Sequence, residues 1–220
     1  DGTMLHAASL VSGTETPLLG VNRGRLGFLT DVSPSEMVDS LDQIFAGDYT
    51  RESRMRLRAS LRTAGGDERS ALALNDVVVH KWNIARMIEF ETWINGKFVE
   101  TQRSDGMIIS TPTGSTAYAL SGGGPIIDPA LEALVLVPIC PHTLSNRPIV
   151  VSDQVNIEVL VHGEDHSQAQ ITCDGQINFA LLAGDVVRIR RKEHALRLIH
   201  PRQHDHFEIM RKKLRWAEQP

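Results

Sequence analysis

A chain of 220 residues with a formal net charge of −4, 41% apolar and 23% charged residues has the balance of a soluble globular protein with room for one large or two modest domains. The negative charge excludes a nucleic-acid-wrapping surface, so any cationic site is local, supplied by placed arginines such as Arg86 and Arg103. The longest apolar stretch, Ala133 to Cys140, holds eight residues and contains a proline, far short of the ~20 that cross a bilayer.

From the N-terminus, Asp1-Gly2-Thr3 opens a predicted helix in which Met4, Ala7, Ala8 and Val11 recur at helical spacing. An acidic residue and a glycine at a helix start place backbone donors and the positive dipole end where a phosphate would sit. An aspartate there equally suits helix capping. Because Asp1 is no translation start, the expectation is that upstream residues were removed or are not represented. Pro17 to Val21 reads as a short apolar strand. Ser33 begins a second helix with Pro34 in its first position, Glu36 placed for a capping box and Gly47 as the stop. Its expected buried face is Met37, Val38, Leu41, Ile44 and Phe45.

From Met55 the period falls to two. Met55, Leu57, Ala59 and Leu61 alternate with polar residues, Gly65 and Gly66 turn the chain, and Leu72 and Leu74 resume. Ile88, Phe90, Thr92 and Ile94 form another alternating strand, ended by the hairpin signal Asn95-Gly96. Further strands are expected at Leu134 to Val137, Ile149 to Val151, Val155 to Val161, Ile171 to Cys173 and Val186 to Arg191, which together read as an antiparallel sheet domain. Phe207 to Trp216 returns to helical spacing, with Phe207, Met210 and Leu214 aligned and a basic RKK on the other face.

The segment Asp105 to Pro125, DGMIISTPTGSTAYALSGGGP, is the most distinctive. An apolar strand at Met107 to Ile109 breaks at Pro112 and Gly114 into a turn expected to expose backbone N–H groups and the hydroxyls of Thr111, Thr113, Ser115 and Thr116. Tyr118 offers a flat face on which a base can stack, and Gly122 to Gly124 permit a close approach of another backbone. By composition alone the same residues also suit a strand followed by a polar turn. The two cysteines, Cys140 and Cys173, lack metal-type spacing and fit a reducing cytoplasm, with a disulfide between them left open. His200, His204 and His206 in HPRQHDH offer metal ligands, yet the segment reads as a polar connector with nothing to hold the imidazoles, so zinc is not expected.

Taken in order, these blocks resemble the NAD kinase family. Its signature opens with GGDGT, of which DGT is present at Asp1 to Thr3. Counterparts follow of GVNRGRLGFLTD (Gly20 to Asp31), LNDVV (Leu74 to Val78), RSDGMIISTPTGSTAYALSGGGP (Arg103 to Pro125), PHTLSNRP (Pro141 to Pro148), CDGQ (Cys173 to Gln176) and RLIHP (Arg197 to Pro201). Several blocks in the family's order over nearly the whole chain are far more specific than one glycine motif.

The resemblance implies a truncated Rossmann-like α/β domain, residues 1–50 plus 196–220, followed by a β-rich antiparallel sheet or sandwich domain that binds NAD, residues 51–195. The C-terminal tail is expected to pack back on the first domain, with the active site in the cleft between domains. The implied reaction is phosphorylation of the 2′-hydroxyl of the adenosine ribose of NAD by ATP, giving NADP, with Mg²⁺ or another divalent cation bound with the nucleotide. Asp1 is the implied acceptor of the hydroxyl proton. The implied NAD contacts are Asp1, Gly2, Asn75, Asp76, Arg86, Arg103, Asp105, Thr116, Ala117, Tyr118, Ala119, Leu120, Ser121 and Gln176, with no protein metal ligands. Asn75 and Asp76 are expected to grip ribose hydroxyls, and Thr116 to Ser121 to cradle the adenosine. Many family members carry Glu where this chain has Asp76. Phe28 suits stacking on adenine or a core position, and His142 belongs to a family block but is expected to be buried and hydrogen-bonded.

A homodimer or homotetramer in the cytoplasm, with neither nucleic-acid nor membrane partners, completes the implication. Two other readings stay open. A lipid kinase of the diacylglycerol or sphingosine type shares the GGDGT element, although TPTGSTAY suits a nucleotide better than an acyl chain. A non-catalytic pyridine-nucleotide-binding protein is the other.

Overall fold

The structure is a computed structural model that describes residues 1–23, 27–30, 32–63, 65–82, 86–163 and 169–216. It begins with helices α1 (Gly2–Leu10) and α2 (Met37–Phe45) and strand β1 (Tyr49–Arg54). Strands β2 (Leu57–Arg62), β3 (Glu68–Ala73), β4 (Asp76–Lys81), β5 (Ile88–Ile94), β6 (Lys97–Ser104) and β7 (Gly106–Ser110) follow. A 3-10 turn, Thr113–Thr116, leads into the short helix α3 (Tyr118–Ser121). Then come β8 (Ala133–Ile139), β9 (Ile149–Ser152), β10 (Ile157–His162), β11 (Ala169–Cys173), β12 (Ile177–Leu181) and β13 (Val186–Arg191), and the chain ends with β14 (Leu196–Pro201) and α4 (His206–Leu214). It divides into two compact units, Asp1–Arg54 with Ala195–Pro220, and Met55–His194.

The second unit is built from two six-stranded sheets, ordered β3-β2-β13-β10-β5-β6 and β12-β11-β4-β7-β8-β9, with antiparallel neighbours throughout. One core cluster draws Leu57, Phe90, Val159 and Ile189 from the first sheet and Val77, Val79, Met107, Ile109 and Leu136 from the second, so the sheets pack face to face. Strands of the first sheet alternate because only one of their faces is covered, as the burial of Leu57, Ala59 and Leu61 in β2 shows. In β4, β7 and β8 the runs VVV, MII and LVLV are continuous for a different reason. Their other face is covered too, where Val78, Ile108, Val135 and Val137 pack with Ala119 of α3 and Ile127.

Asn95 and Gly96 both take positive φ, 51° and 72°, the mirror-image turn that matches strand twist in a β5–β6 hairpin. The phase of β3 differs by one residue from expectation. Ala71 and Ala73 face the core while Leu72 is half-buried, because the register sets Ala59 opposite Ala71 and Leu57 opposite Ala73, and opposed residues share a sheet face.

In the first unit β1 pairs antiparallel with β14 from Tyr49↔Pro201 to Arg54↔Leu196. The strand expected at Pro17 to Val21 is reduced to isolated parallel bridges, Leu18↔Leu198 and Val21↔Val32. Leu18 exchanges both its backbone hydrogen bonds with Arg197 and Ile199, and residues on either side find no ladder to extend. Helix α1 buries Met4, Leu5 and Ala8, a stripe rotated from the expected one in which Ala7 and Val11 are only half-buried.

Helix α2 departs further from its expected packing. Met37, Val38 and Phe45 are exposed, and the side toward β14 carries buried Ser40 with half-buried Leu41 and Ile44. A two-stranded ladder is too narrow to cover a wide apolar stripe. The helix begins later than expected: residues 34–36 form a turn and Glu36 occupies the cap position before Met37, its carboxylate accepting from the backbone N–H and hydroxyl of Ser33 across that turn. In α4, Asp205 Oδ1 accepts from the N–H groups of Phe207 (2.8 Å) and Glu208 (3.2 Å), and Arg211 to Lys213 occupy the last turn, both favourable to the helix dipole. Met210 is buried and Leu214 half-buried as expected, while Phe207 is exposed and Ile209 is buried beside Met210 instead.

Candidate active site

Asn75 and Asp76 stand where β3 ends and β4 begins, and the Asp174 carboxylate holds them in place from a hundred positions away. Its Oδ2 accepts from Leu74 N–H at 2.8 Å, and its Oδ1 from Asn75 N–H at 2.8 Å and Asp76 N–H at 3.2 Å. Asp174 and Gly175 take φ of 53° and 67°, the turn that an Asp-Gly pair favours between hairpin strands. From the other side Thr111 Oγ1 donates to Leu74 O at 2.6 Å and Ser110 Oγ to Asn75 O at 3.2 Å. A Cβ at Gly114 would overlap the Asn75 carbonyl, so the turn seats against this loop only with glycine there.

This arrangement corrects the expected exposure of the hydroxyls after β7. Thr111 and Ser115 are fully buried and Thr113 nearly so. Ser115 Oγ donates to Pro112 O (2.6 Å) and accepts from Ile127 N–H (2.9 Å), and Thr116 Oγ1 donates to Thr113 O. A buried hydroxyl needs such partners, so these groups shape the turn and leave Tyr118 as its outward feature. Tyr118 is 48% exposed.

Alternation along β4 sends Val77 and Val79 into the core and aims Asp76, Val78 and His80 at the opposite face. There, together with Asn75, Ala117, Tyr118, Thr172, Asp174 and Gly175, they line a cleft of about 360 Å³. Burial, and then the neighbouring Asp174 charge, push the Asp76 carboxyl up to about 7. Burial also raises Asp174, against the opposing effect of its three backbone N–H bonds. The His80 imidazole lies below its ordinary range because burial outweighs its hydrogen bond to the Lys81 carbonyl. Nδ1–H of His80 donates to Lys81 O at 3.0 Å, which leaves Nε2 to accept from Gln170 Nε2 at 3.0 Å. The cleft thus combines an aromatic face, an amide, a carboxyl poised near neutrality and a neutral imidazole, a set suited to a sugar bearing a flat base.

Of the residues expected to hold NAD, the cleft brings together Asn75, Asp76, Ala117 and Tyr118. Thr116, Ala119, Leu120, Ser121 and Gln176 lie outside its lining; Ala119 is buried against Val78 and Val137, while Ser121 and Gln176 are exposed. Arg86 and Arg103 are exposed, and Asp105 pairs with Lys81 at 2.7 Å. His142 is exposed rather than buried, and its backbone N–H donates to Arg103 O at 3.0 Å. Cys140 and Cys173 are free thiols, the first exposed and the second buried. Asp174 and His80 escaped the sequence reading. Asp174-Gly175 signalled a turn, but nothing local connects that carboxylate to Leu74.

Asp1 and Gly2 belong to the first unit. The Asp1 side chain makes no capping bond to α1. Instead its Oδ2 accepts from Phe28 N–H at 3.0 Å and its Oδ1 from Leu29 N–H at 3.2 Å, so the carboxylate is oriented by the loop of the GFLT block. Phe28 is half-buried, with Lys213 Nζ 5.8 Å from its ring centroid; Asp31 lies outside the described residues. A Cβ at Gly27 would overlap Asp1 Oδ1 and Thr30 Oγ1. On the role that the family resemblance implies for Asp1, Gly27→Ala, which must turn the Asp1 carboxylate, is expected to lower kcat by ~10-fold or more with little change in NAD affinity, since misplacement by about an ångström has at least that scale of effect. Steady-state kinetics with a parallel binding titration checks it, and an unchanged kcat removes the argument.

Residues 1–49 match the family profile described as ATP-NAD kinase N-terminal domain, and residues 74–201 the ATP-NAD kinase C-terminal domain. The chain is 51% identical over 217 residues to the NAD kinase of Chromohalobacter salexigens, covering 99% of this chain and 74% of that protein. It is 49% identical over 217 residues to the NAD kinase of Hahella chejuensis, covering 99% of this chain and 73% of the other. Among solved structures, yeast NADH kinase complexed with NADH superposes with a TM-score of 0.93 at 25% identity, over 100% of this chain and 66% of that one. An NAD kinase from Archaeoglobus fulgidus in complex with ATP gives 0.75 at 31% identity, over 90% and 74%.

Proposed function

Since this chain belongs to the NAD kinase family and is an ATP-dependent NAD kinase, we propose that the cleft of Asn75, Asp76 and Tyr118 seats the adenosine of NAD and that Asp1 accepts the proton of its 2′-hydroxyl. The supporting observation is the pairing, in one concavity, of an exposed aromatic face with the buried Asp76 carboxyl and Asn75. Tyr118 stacks on the base, while Asp76 and Asn75 hydrogen-bond to hydroxyls of a ribose. The 2′-oxygen attacks the γ-phosphorus of ATP, the bond from that phosphorus to the β-phosphate oxygen breaks, and the hydroxyl proton passes to Asp1 as ADP leaves.

Mg²⁺ or another divalent cation bound with ATP would supply neutralisation of the charge on the transferred phosphoryl group. Each Asp1 oxygen accepts one backbone N–H and keeps a further acceptor position, so the carboxylate could face the hydroxyl or an ion carried on the phosphates. Arg86, Arg103, Asp105, Gly2, Thr116, Ala119, Leu120, Ser121 and Gln176 are assigned to NAD on their match to family positions. A site that brings a bare 2′-hydroxyl to a carboxylate repels a 2′-phosphate at the same spot, which favours release of NADP.

Incubation with ATP and Mg²⁺ and either NAD or a lipid alcohol tests the reading. NADP is the expected product, and phosphorylated lipid, or NAD binding that never yields NADP, overturns it. Tyr118→Ala is expected to raise KM for NAD by ~10- to 100-fold, the worth of one stacked base, with KM for ATP unchanged.

The assembly is a homodimer or homotetramer in this proposal. Its support is the edge strand β9, whose Ile149 and Val150 are exposed, and light scattering in solution decides it. Free Cys140 at the surface is consistent with a reducing cytoplasm. Among the described residues no helix is long and apolar enough to cross a membrane.

A further inference from the structure

His200 lies on β14 and is only 2% exposed. In the β1–β14 ladder Thr50 faces His200 and Glu52 faces Leu198, so Glu52 and His200 are diagonal neighbours on one face. His200 Nε2 lies 3.2 Å from Glu52 Oε2. After β14 the chain turns back through the bond from His204 N–H to Pro201 O (3.0 Å), which lays the His204 ring on that of His200, centroids 3.9 Å apart and 25° from parallel. One ligand atom from each of the three side chains falls within 4.8 Å of the others. The polar connector read from the sequence is therefore anchored at one end by a strand, and a tight turn brings its second imidazole to the first.

We propose that Glu52, His200 and His204 form a binding site for a divalent transition-metal ion of the Zn²⁺ class, a site separate from the NAD cleft. Two imidazole nitrogens and one carboxylate oxygen are the donor types that Zn²⁺ takes, and three protein ligands leave a fourth position open. Bonds of about 2.1 Å in a tetrahedral arrangement place ligand atoms about 3.4 Å apart, so binding an ion requires the half-exposed His204 ring to turn out of its stack with His200 until both nitrogens face one point. His204 also lines a cavity of about 420 Å³ that supplies an entry path. Glu36, Asp39, Asp205 and Glu208 line the same cavity against the single amine of Lys212, an acidic balance that concentrates cations at its mouth.

Arg54 bears on the affinity. Its Nη2 lies 2.8 Å from Glu52 Oε2, yet a carboxylate offers about four acceptor positions over two oxygens, enough for an arginine and a metal together. The guanidinium charge opposes the ion, so binding is weaker than at a closed four-ligand structural site.

Untagged chain stripped with chelator and titrated with Zn²⁺ is expected to take up one equivalent and to melt at a higher temperature with the ion than without it. Titrated with Co²⁺ it is expected to show the visible absorption of a four-coordinate site. His204→Ala, at a half-exposed turn position, is expected to keep the fold by circular dichroism and lose affinity by ~100-fold or more, beyond the ~10- to 100-fold that loss of a mere supporting hydrogen bond causes. Glu52→Gln, which preserves side-chain volume, is expected to show a loss in the same direction and serves should His204→Ala fold poorly. Absence of stoichiometric uptake by the parent chain overturns the proposal, as does undiminished uptake in a folded variant, because the remaining histidines then account for the binding.

Discussion

Asp1→Asn is expected to leave NAD binding in place and to lower turnover by at least ~100-fold, the scale of a lost general base and about 2.7 kcal/mol of transition-state stabilisation. The carboxylate accepts from Phe28 N–H through one oxygen and from Leu29 N–H through the other. An asparagine keeps one acceptor and presents an NH₂ group where the second stood, so one backbone donor loses its partner and no proton can be taken from the hydroxyl. Single-turnover formation of NADP separates this chemical loss from any change in product release. If turnover is unchanged, Asp1 is not the acceptor. Gly27→Ala tests the same group from the other direction, since it retains the carboxylate and alters only its aim.

Asp76→Asn is expected to make the ligand-free chain more stable at pH 8 by about 2–4 kcal/mol, since each tenfold change in proton affinity between folded and unfolded chain is worth roughly 1.4 kcal/mol, while weakening NAD binding at least ~10-fold. Burial, and secondarily Asp174, raise the folded-state pKa from 3.8 to about 7. Below about pH 4 the carboxyl is protonated whether the chain is folded or not. Between there and about pH 7 the unfolded chain releases a proton that the folded chain keeps, so the stability contributed by this group is lost as pH rises through that window. An amide has no such titration, and the advantage of the variant is expected to vanish near pH 4. Urea denaturation at the two pH values measures it; an equal difference at both would show that folding leaves the proton affinity of the Asp76 carboxyl unchanged. The loss of binding follows because an amide accepts more weakly than a carboxylate from sugar hydroxyls. A carboxyl that costs stability until a ligand supplies its partners is the pattern expected of a binding site.

The family, the reaction class and the β-rich architecture were legible from the residues, because the blocks from DGT to RLIHP are contiguous in sequence and because alternation in β2 and β5 follows from one covered sheet face. Asn95-Gly96 was legible for a similar reason, as a turn is set by the conformations its own two residues allow. The inward face of α2 was not, since what a helix buries depends on the width of the surface it meets, and β1–β14 is narrow. The hydroxyls of Thr111 and Ser115 looked like ligand donors, and only folding showed that Leu74, Pro112 and Ile127 engage them.

Motif order by itself determined what kind of molecule this is, and the resemblance it carries singled out Asp76 and Tyr118 as the residues to test against a nucleotide. Tertiary structure alone decided that Asp174 clamps the Asn75 loop, that Asp1 leans on the loop at Phe28, and that Glu52 meets His200 and His204. The reason is range. Propensity and periodicity report on residues a few positions apart, whereas these contacts join groups separated by 27 to 152 positions through strand pairing and loop closure.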